Sequence, residues 1–277
     1  LEHLCRTAEG GEEVARSLLA AAWCTLQHGH DEARALSQVE AALVASPDDP
    51  GALLTLELLA RRQGDEARTR RALERRLATA SDPTWATLLE LELAAHFAAR
   101  SDHARQDELL ARAAARRTRL GFSALEQRFE LGRAAQRLDW MIDSLLARAA
   151  RAASALDPSQ LEQSPEVPTR ARSRAYVVDT LLACARLERS AGRDATATLE
   201  RAAQLDPEHP LVVRARIDQA QHGGRHELVE ALVLAELGFE PAASEATALW
   251  LDLHASRVAE RRRDAALVAL ERALELD

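Results

Sequence analysis

One spacing recurs along this chain and constrains it more than any other feature. An Ala is followed four residues later by an apolar residue, three later by Ala, and five later by Pro. It reads Ala35, Val39, Ala42, Pro47 and again Ala195, Leu199, Ala202, Pro207. The chain closes on Ala266, Leu270, Ala273, and a weaker copy runs Leu146, Ala150, Ala153, Pro158. Pro47 and Pro83 stand 36 residues apart, and Pro207 and Pro241 stand 34 apart. Alanines seven residues apart with a larger apolar residue between them make a narrow helix face that a neighbouring helix can approach closely. A proline after that face cannot continue the helix it follows and can begin the next. A period of this length marks one supersecondary unit that buries its apolar face only by stacking on its neighbours.

Short polar turns fall inside each period: Gly29-His30-Asp31, Gly64-Asp65, Ser101-Asp102, Gly192-Arg193-Asp194 and Gly223-Gly224. The unit is therefore a helix, a turn and a second helix. The sequence predicts seven such pairs, spanning 11–47, 48–82, 83–119, 120–157, 169–206, 207–240 and 241–277. Composition agrees. Of the 277 residues 47% are hydrophobic but only 3% aromatic, so the core must be Leu and Ala, and 11 Gly and 9 Pro are too few for a sandwich or barrel of tight turns.

The pattern resembles the tetratricopeptide repeat, a family with units of about 34 residues. Trp250 and Leu253 match its first-helix aromatic and leucine, and Leu131-Gly132 matches its Leu-Gly step, where glycine admits close helix approach. The second-helix Ala, Ala and Pro matches are those given above. The resemblance implies an all-α, right-handed superhelical solenoid of about seven antiparallel helix pairs. Departures are clear. The second and third units lack the second-helix alanine signature, and the third runs its first helix on Trp85, Leu89, Leu93 and Phe97. The second helix of the fourth unit, about 139–156, is roughly one turn too long. The chain reads as a divergent member, with another α-solenoid or an irregular helical bundle as the competing fold.

Residues 158–168 break the rhythm with three prolines and no helical period, as a loop between stacked repeats or a hinge. The expected organisation is repeats one to four over 1–157, with a partial preceding helix, then a Pro-rich linker over 158–168, then repeats five to seven over 169–277. Both ends look cut. Leu1 to Glu9 reads as the tail of an earlier helix, and Leu270, Leu274 and Leu276 belong to a last helix with no successor, so a longer protein or self-association through uncapped ends is expected.

Several chemistries are excluded by what is missing. All 36 basic residues are Arg; there is no Lys and no Asn, so no Schiff-base lysine, Walker lysine or N-glycosylation site. A GC-rich bacterial genome accounts for both absences. A net charge of −8 argues against a general nucleic-acid binder. The longest uncharged run, Ser17 to His30, is 14 residues, short of a membrane span. Cys5, Cys24 and Cys184 are too dispersed for a zinc or disulfide framework and read as buried thiols in a reducing compartment; no targeting signal fixes the localisation, and the cytoplasm is favoured. His28, His30, Asp31 and Glu32 read as solvated turn residues rather than a metal cluster, and Gly223-Gly224 would misalign His222 and His226. Trp23, Trp85, Trp140 and Trp250 read as packing residues. No catalytic constellation, metal site or cofactor is expected.

Charge is uneven along the chain. Residues 1–50 carry −6, 51–99 are neutral, 100–175 carry +4 and 176–277 carry −6. Arg112, Arg116, Arg117 and Arg119 cluster where a helix ends, either as a solvated terminus or as a basic patch for an acidic partner. The resemblance implies a protein-binding scaffold or assembly factor, not an enzyme, whose first helices line a concave groove for a peptide or partner protein. Carried over unit by unit, the groove candidates are Gln27, His28, Arg61, Arg62, Arg186, Arg189, Arg214 and Asp218. The chaperone-tail-binding members use a clamp of Lys and Asn, which this chain cannot build. The alternative function is the sensor or regulatory array of a larger signalling or transcription-regulating protein.

Overall fold

The computed structural model describes residues 10–29, 31–157 and 167–276. Among them lie fourteen α-helices and no strand. They are α1 Gly11–Cys24, α2 Glu32–Ala45, α3 Pro50–Arg62, α4 Glu66–Thr79, α5 Pro83–Ala98, α6 His103–Ala115, α7 Arg119–Ala134, α8 Leu138–Ser154, α9 Arg174–Ser190, α10 Thr196–Leu205, α11 Pro210–His222, α12 His226–Leu237, α13 Ala243–Ala259 and α14 Arg263–Leu276. Taken two at a time they follow the seven spans expected from the repeat, with α7 starting one residue early at Arg119. The chain forms two compact units, Leu1–Leu131 and Gly132–Asp277, with the division inside α7. The Pro-rich expectation falls largely on 158–166, outside the described residues, as do Cys5, His30 and the proposed tail at 1–9.

Local chemistry explains why the helices start and stop where they do. In the first unit five successive helices, α2 to α6, begin with an aspartate whose carboxylate accepts a backbone N–H three residues on. The residues are Asp31, Asp49, Asp65, Asp82 and Asp102, each satisfying one of the donors a helix N-terminus leaves bare. Pro50, Pro83 and Pro210 occupy first helical positions, where a missing N–H costs nothing. The prolines of the sequence motif sit elsewhere: Pro47 and Pro207 lie in the turns after α2 and α10.

The turn inside each pair is stereotyped. In pairs two to seven the first helix ends on an N–H that reaches back five residues, the signature of a Schellman turn. The bonds are Asp65 to Ala60 (2.9 Å), Asp102 to Phe97 (3.1 Å), Arg137 to Gly132 (2.7 Å), Arg193 to Glu188 (2.8 Å), Arg225 to Ala220 (2.8 Å) and Arg262 to Arg257 (2.9 Å). The residue before each of these donors is left-handed. It is glycine at Gly64, Gly192 and Gly224, but Ser101, Gln136 and Arg261 in the other three, with φ of 57°, 55° and 60°. Turns of three to five residues return the chain along its partner, which makes the pairs within each unit antiparallel.

Alanine and leucine fill both cores. In the first unit Ala35, Val39 and Ala42 of α2 pack with Ala52, Leu53 and Leu59 of α3 and Ala72 of α4. In the second, Val213, Ile217 and Ala220 of α11, Val229 and Val233 of α12, Leu249 and Leu253 of α13 and Ala269 of α14 form the main cluster, with Trp250 partly buried against it. The Leu-Gly step behaves as expected. A Cβ built on Gly132 would lie 2.9 Å from Met141 Cγ and 3.0 Å from the Arg137 carbonyl oxygen, so only glycine lets α8 come this close. Two copies of the motif differ from expectation. In α8 the buried stripe is Met141, Leu145, Ala149 and Ala152, one residue ahead of Leu146, Ala150 and Ala153, because that helix has 17 residues and its proline no longer marks the register. In α4 the stripe is Thr69, Leu73 and Arg76, with a buried arginine where the motif has its second alanine.

Candidate functional site

Within each unit, ion pairs run from one first helix to the next and so define a common first-helix face. In the first unit Arg61 of α3 donates to Glu92 of α5 at 2.9 Å and lies 2.8 Å from Glu57. In the second unit Arg189 of α9 stands 3.8 Å from Asp218 of α11, Arg214 stands 3.4 Å from the same carboxylate, and Arg214 also donates to Asp252 of α13. Gln221 donates to Asp252 as well, at 3.0 Å. Arg189, Arg214 and Asp218, three of the groove candidates, thus meet in one chain of charges. Glu92, which Arg61 meets, and Asp252, which accepts from Arg214 and Gln221, are not among the sequence candidates. The signal was available: Arg61 and Glu92 are 31 residues apart and Arg214 and Asp252 are 38 apart, about one repeat in each case. Gln27 and His28 are exposed on the π-helical turn Thr25–Gly29, and Arg62 and Arg186 are exposed on α3 and α9.

Exposed apolar side chains of the first unit stand on first helices as well, although Val44 of α2 is more exposed than any of them. Leu54, Leu58 and Arg61 repeat at helical spacing on α3, and the leucines are 40% and 41% exposed. Trp23 on α1 and Trp85 on α5 are 43% and 46% exposed. That corrects the expectation that all four tryptophans are packing residues. Trp140 and Trp250 are partly buried, but the Arg76 guanidinium carbon sits 5.2 Å from the centre of the Trp85 ring, a cation–π arrangement at the surface. Cys24 is likewise exposed rather than core, whereas Cys184 is fully buried and its thiol is pushed up to about 12, chiefly by that burial. A thiol so held stays protonated and inert near neutral pH.

The arginine cluster divides. Arg112 and Arg116 turn inward to Glu90 of α5, whose side chain is fully buried, at 3.2 Å and 3.0 Å. The hydrogen bond to Glu90 holds the Arg116 guanidinium above its usual range. Arg117 and Arg119 remain exposed. A second buried carboxylate, Glu57, is met by Arg61 and by the buried Arg76. These arrangements keep desolvated charge paired, the condition under which it is tolerated in a core. The histidines form no pair. His222 Nδ1 bonds the Asp218 carbonyl at 2.7 Å, while His226 Nδ1 lies 3.3 Å from Ser256 Oγ. Among the described residues no group of three or more His, Cys, Asp or Glu could hold a metal, and no helix is long and apolar enough to cross a membrane.

No family model and no curated protein matches this sequence. Solved structures do. A tetratricopeptide repeat protein from Parabacteroides merdae aligns over 95% of this chain and 93% of its own, with 15% identity and a TM-score of 0.37. The APC/C hetero-tetramer Cut9-Hcn1 aligns over 94% of this chain and 42% of its own (15% identity, TM-score 0.32). The P58(IPK) TPR domain aligns over 94% and 83% (16% identity, TM-score 0.31). At these scores the fold assignment rests on the chain's own seven helix pairs and their repeated turns, and on that basis the chain has a divergent tetratricopeptide-like fold.

Proposed function

We propose that this chain is a non-catalytic protein-binding scaffold whose first-helix face takes a peptide or a partner's helix. One observation carries the reading. Among the described residues of the first unit, Trp23, Leu54, Leu58 and Trp85 are exposed on first helices, while Val44, 83% exposed, stands on a second helix. Leu54 and Leu58, one turn apart on α3 beside the Arg61–Glu92 pair, supply what a partner helix needs: an apolar stripe to bury and charges to set its register. The test is capture of partners from a lysate of the source cells by the tagged chain and by a Leu54→Glu/Leu58→Glu variant. Both positions are exposed, so the variant should keep its helicity and melting point. Capture by the parent and loss of the same proteins by the variant is the expected result. Equal capture by both would remove this face from the function.

A further inference from the structure

The even-numbered pairs share a junction with the pair that follows, and in the last of them it is unfilled. Eleven residues past the helix N-cap, the second helices of pairs two, four and six carry Arg76, Arg148 and Glu236. The first and third pairs have Ala42 and Ala113 at that place. The third residue of the next first helix is Trp85, Tyr176 and Glu245 in turn. The first two junctions are closed in the same way. Arg76 lies over the Trp85 ring, and Arg148 lies 5.8 Å from the centre of the Tyr176 ring while donating to its hydroxyl at 2.6 Å and 3.1 Å.

At the third junction the guanidinium is missing and two carboxylates stand in its place. Glu236 and Glu245 flank a cavity of about 240 Å³ between α11 and α13, floored by Val213, Ile217 and Leu249, with Leu211 exposed at its edge. Among the described residues neither carboxylate has a hydrogen bond or ion pair. Arg214 lines the same cavity, but its guanidinium is engaged by Asp218 and Asp252. Glu236 is partly buried and Glu245 exposed at the cavity's rim; burial, and then the neighbouring Glu245, hold the Glu236 carboxyl above the usual range.

We propose that the cavity between α11 and α13 receives an arginine side chain of a partner, its guanidinium between Glu236 and Glu245 and an adjoining apolar residue against Leu211 and Leu249. The chain's own Arg76 and Arg148 are the precedent for a guanidinium at this junction. Two carboxylates facing an apolar floor complement a planar cation with a long aliphatic stem. This site lies in the second unit and does not depend on the Leu54–Leu58 surface.

The test is a titration of the full chain with acetyl-leucyl-arginine amide, followed by the backbone amide NMR signals of Glu236, Glu245 and Leu249. Saturable shifts at these residues are expected. They should need about tenfold more of the peptide in which neutral citrulline replaces arginine, and about tenfold more in a Glu236→Gln/Glu245→Gln variant. That variant relieves repulsion, so it should fold at least as well as the parent. Absence of shifts at these amides, equal affinity for the citrulline peptide, or equal affinity of the double variant would overturn the assignment. So would concentration-dependent self-association that the double variant abolishes, since the arginine would then come from a second copy.

Discussion

The left-handed residues of the turns show how a single position can cost stability across a repeat. Ser101, Gln136 and Arg261 hold positive φ where their counterparts are Gly64, Gly192 and Gly224. A side chain in that region crowds the following carbonyl, and glycine does not. Gln136→Gly should therefore raise stability by about 1 kcal/mol in urea melts, and Gly192→Gln should lower it by a similar amount. Two glutamates six residues apart should respond to acid in opposite senses. Hydrogen bonds from Arg257 and then Arg262 hold Glu230 below the carboxylate range, so its contribution is present above the unfolded pKa of about 4.3 and is lost as pH falls through its lower folded value. Glu236 is raised by burial and by Glu245, so its contribution is complete below the unfolded value and is lost as pH rises through the folded one. Glu236→Gln should then stabilise the protein at pH 7 and make no difference at pH 3, whereas Glu230→Gln should destabilise it at pH 7 and lose that effect on acidification. Melting temperatures of the two variants across that range check both signs.

At the scale of the element, the helices best described by the sequence are those whose faces hold only alanine and one larger apolar residue. Ala195, Leu199 and Ala202 are all buried to within 1% of their surface, while Ala203, one residue on, is partly exposed. Ala202→Leu should overpack the crossing and cost roughly 1–3 kcal/mol, and Ala203→Leu should cost less. Equal melting temperatures would place the register of α10 one residue away. The same template missed what α4 does. A motif asking for a small residue passes over Arg76, because burial of an arginine depends on Glu57 from another helix and Trp85 from a third. Nor could periodicity separate Cys24 from Cys184, or Trp23 from Trp250. An apolar residue on a helix is buried only where a neighbour covers that side, and the neighbour is set by the stacking of pairs. The arginines from Arg112 to Arg119 are clustered in sequence, as a solvated helix end or a basic patch would be, yet Glu90, 22 residues before them, draws two of them inward.

For the whole molecule, two compact units built from equivalent helix pairs allow one face to be repeated with changed chemistry. The first unit offers leucine and tryptophan beside Arg61 and its two carboxylates, and the second offers a chain of charges and a carboxylate-lined cavity. Stability in such stacks comes from each pair and its immediate neighbours, which leaves exposed first-helix positions free to vary without loss of fold. Binding on the first helices would show in hydrogen–deuterium exchange of the chain with and without a captured partner. Protection gained in α1, α3 and α5, with α2, α4 and α6 unchanged, is the predicted result; protection gained on the second helices instead would contradict it.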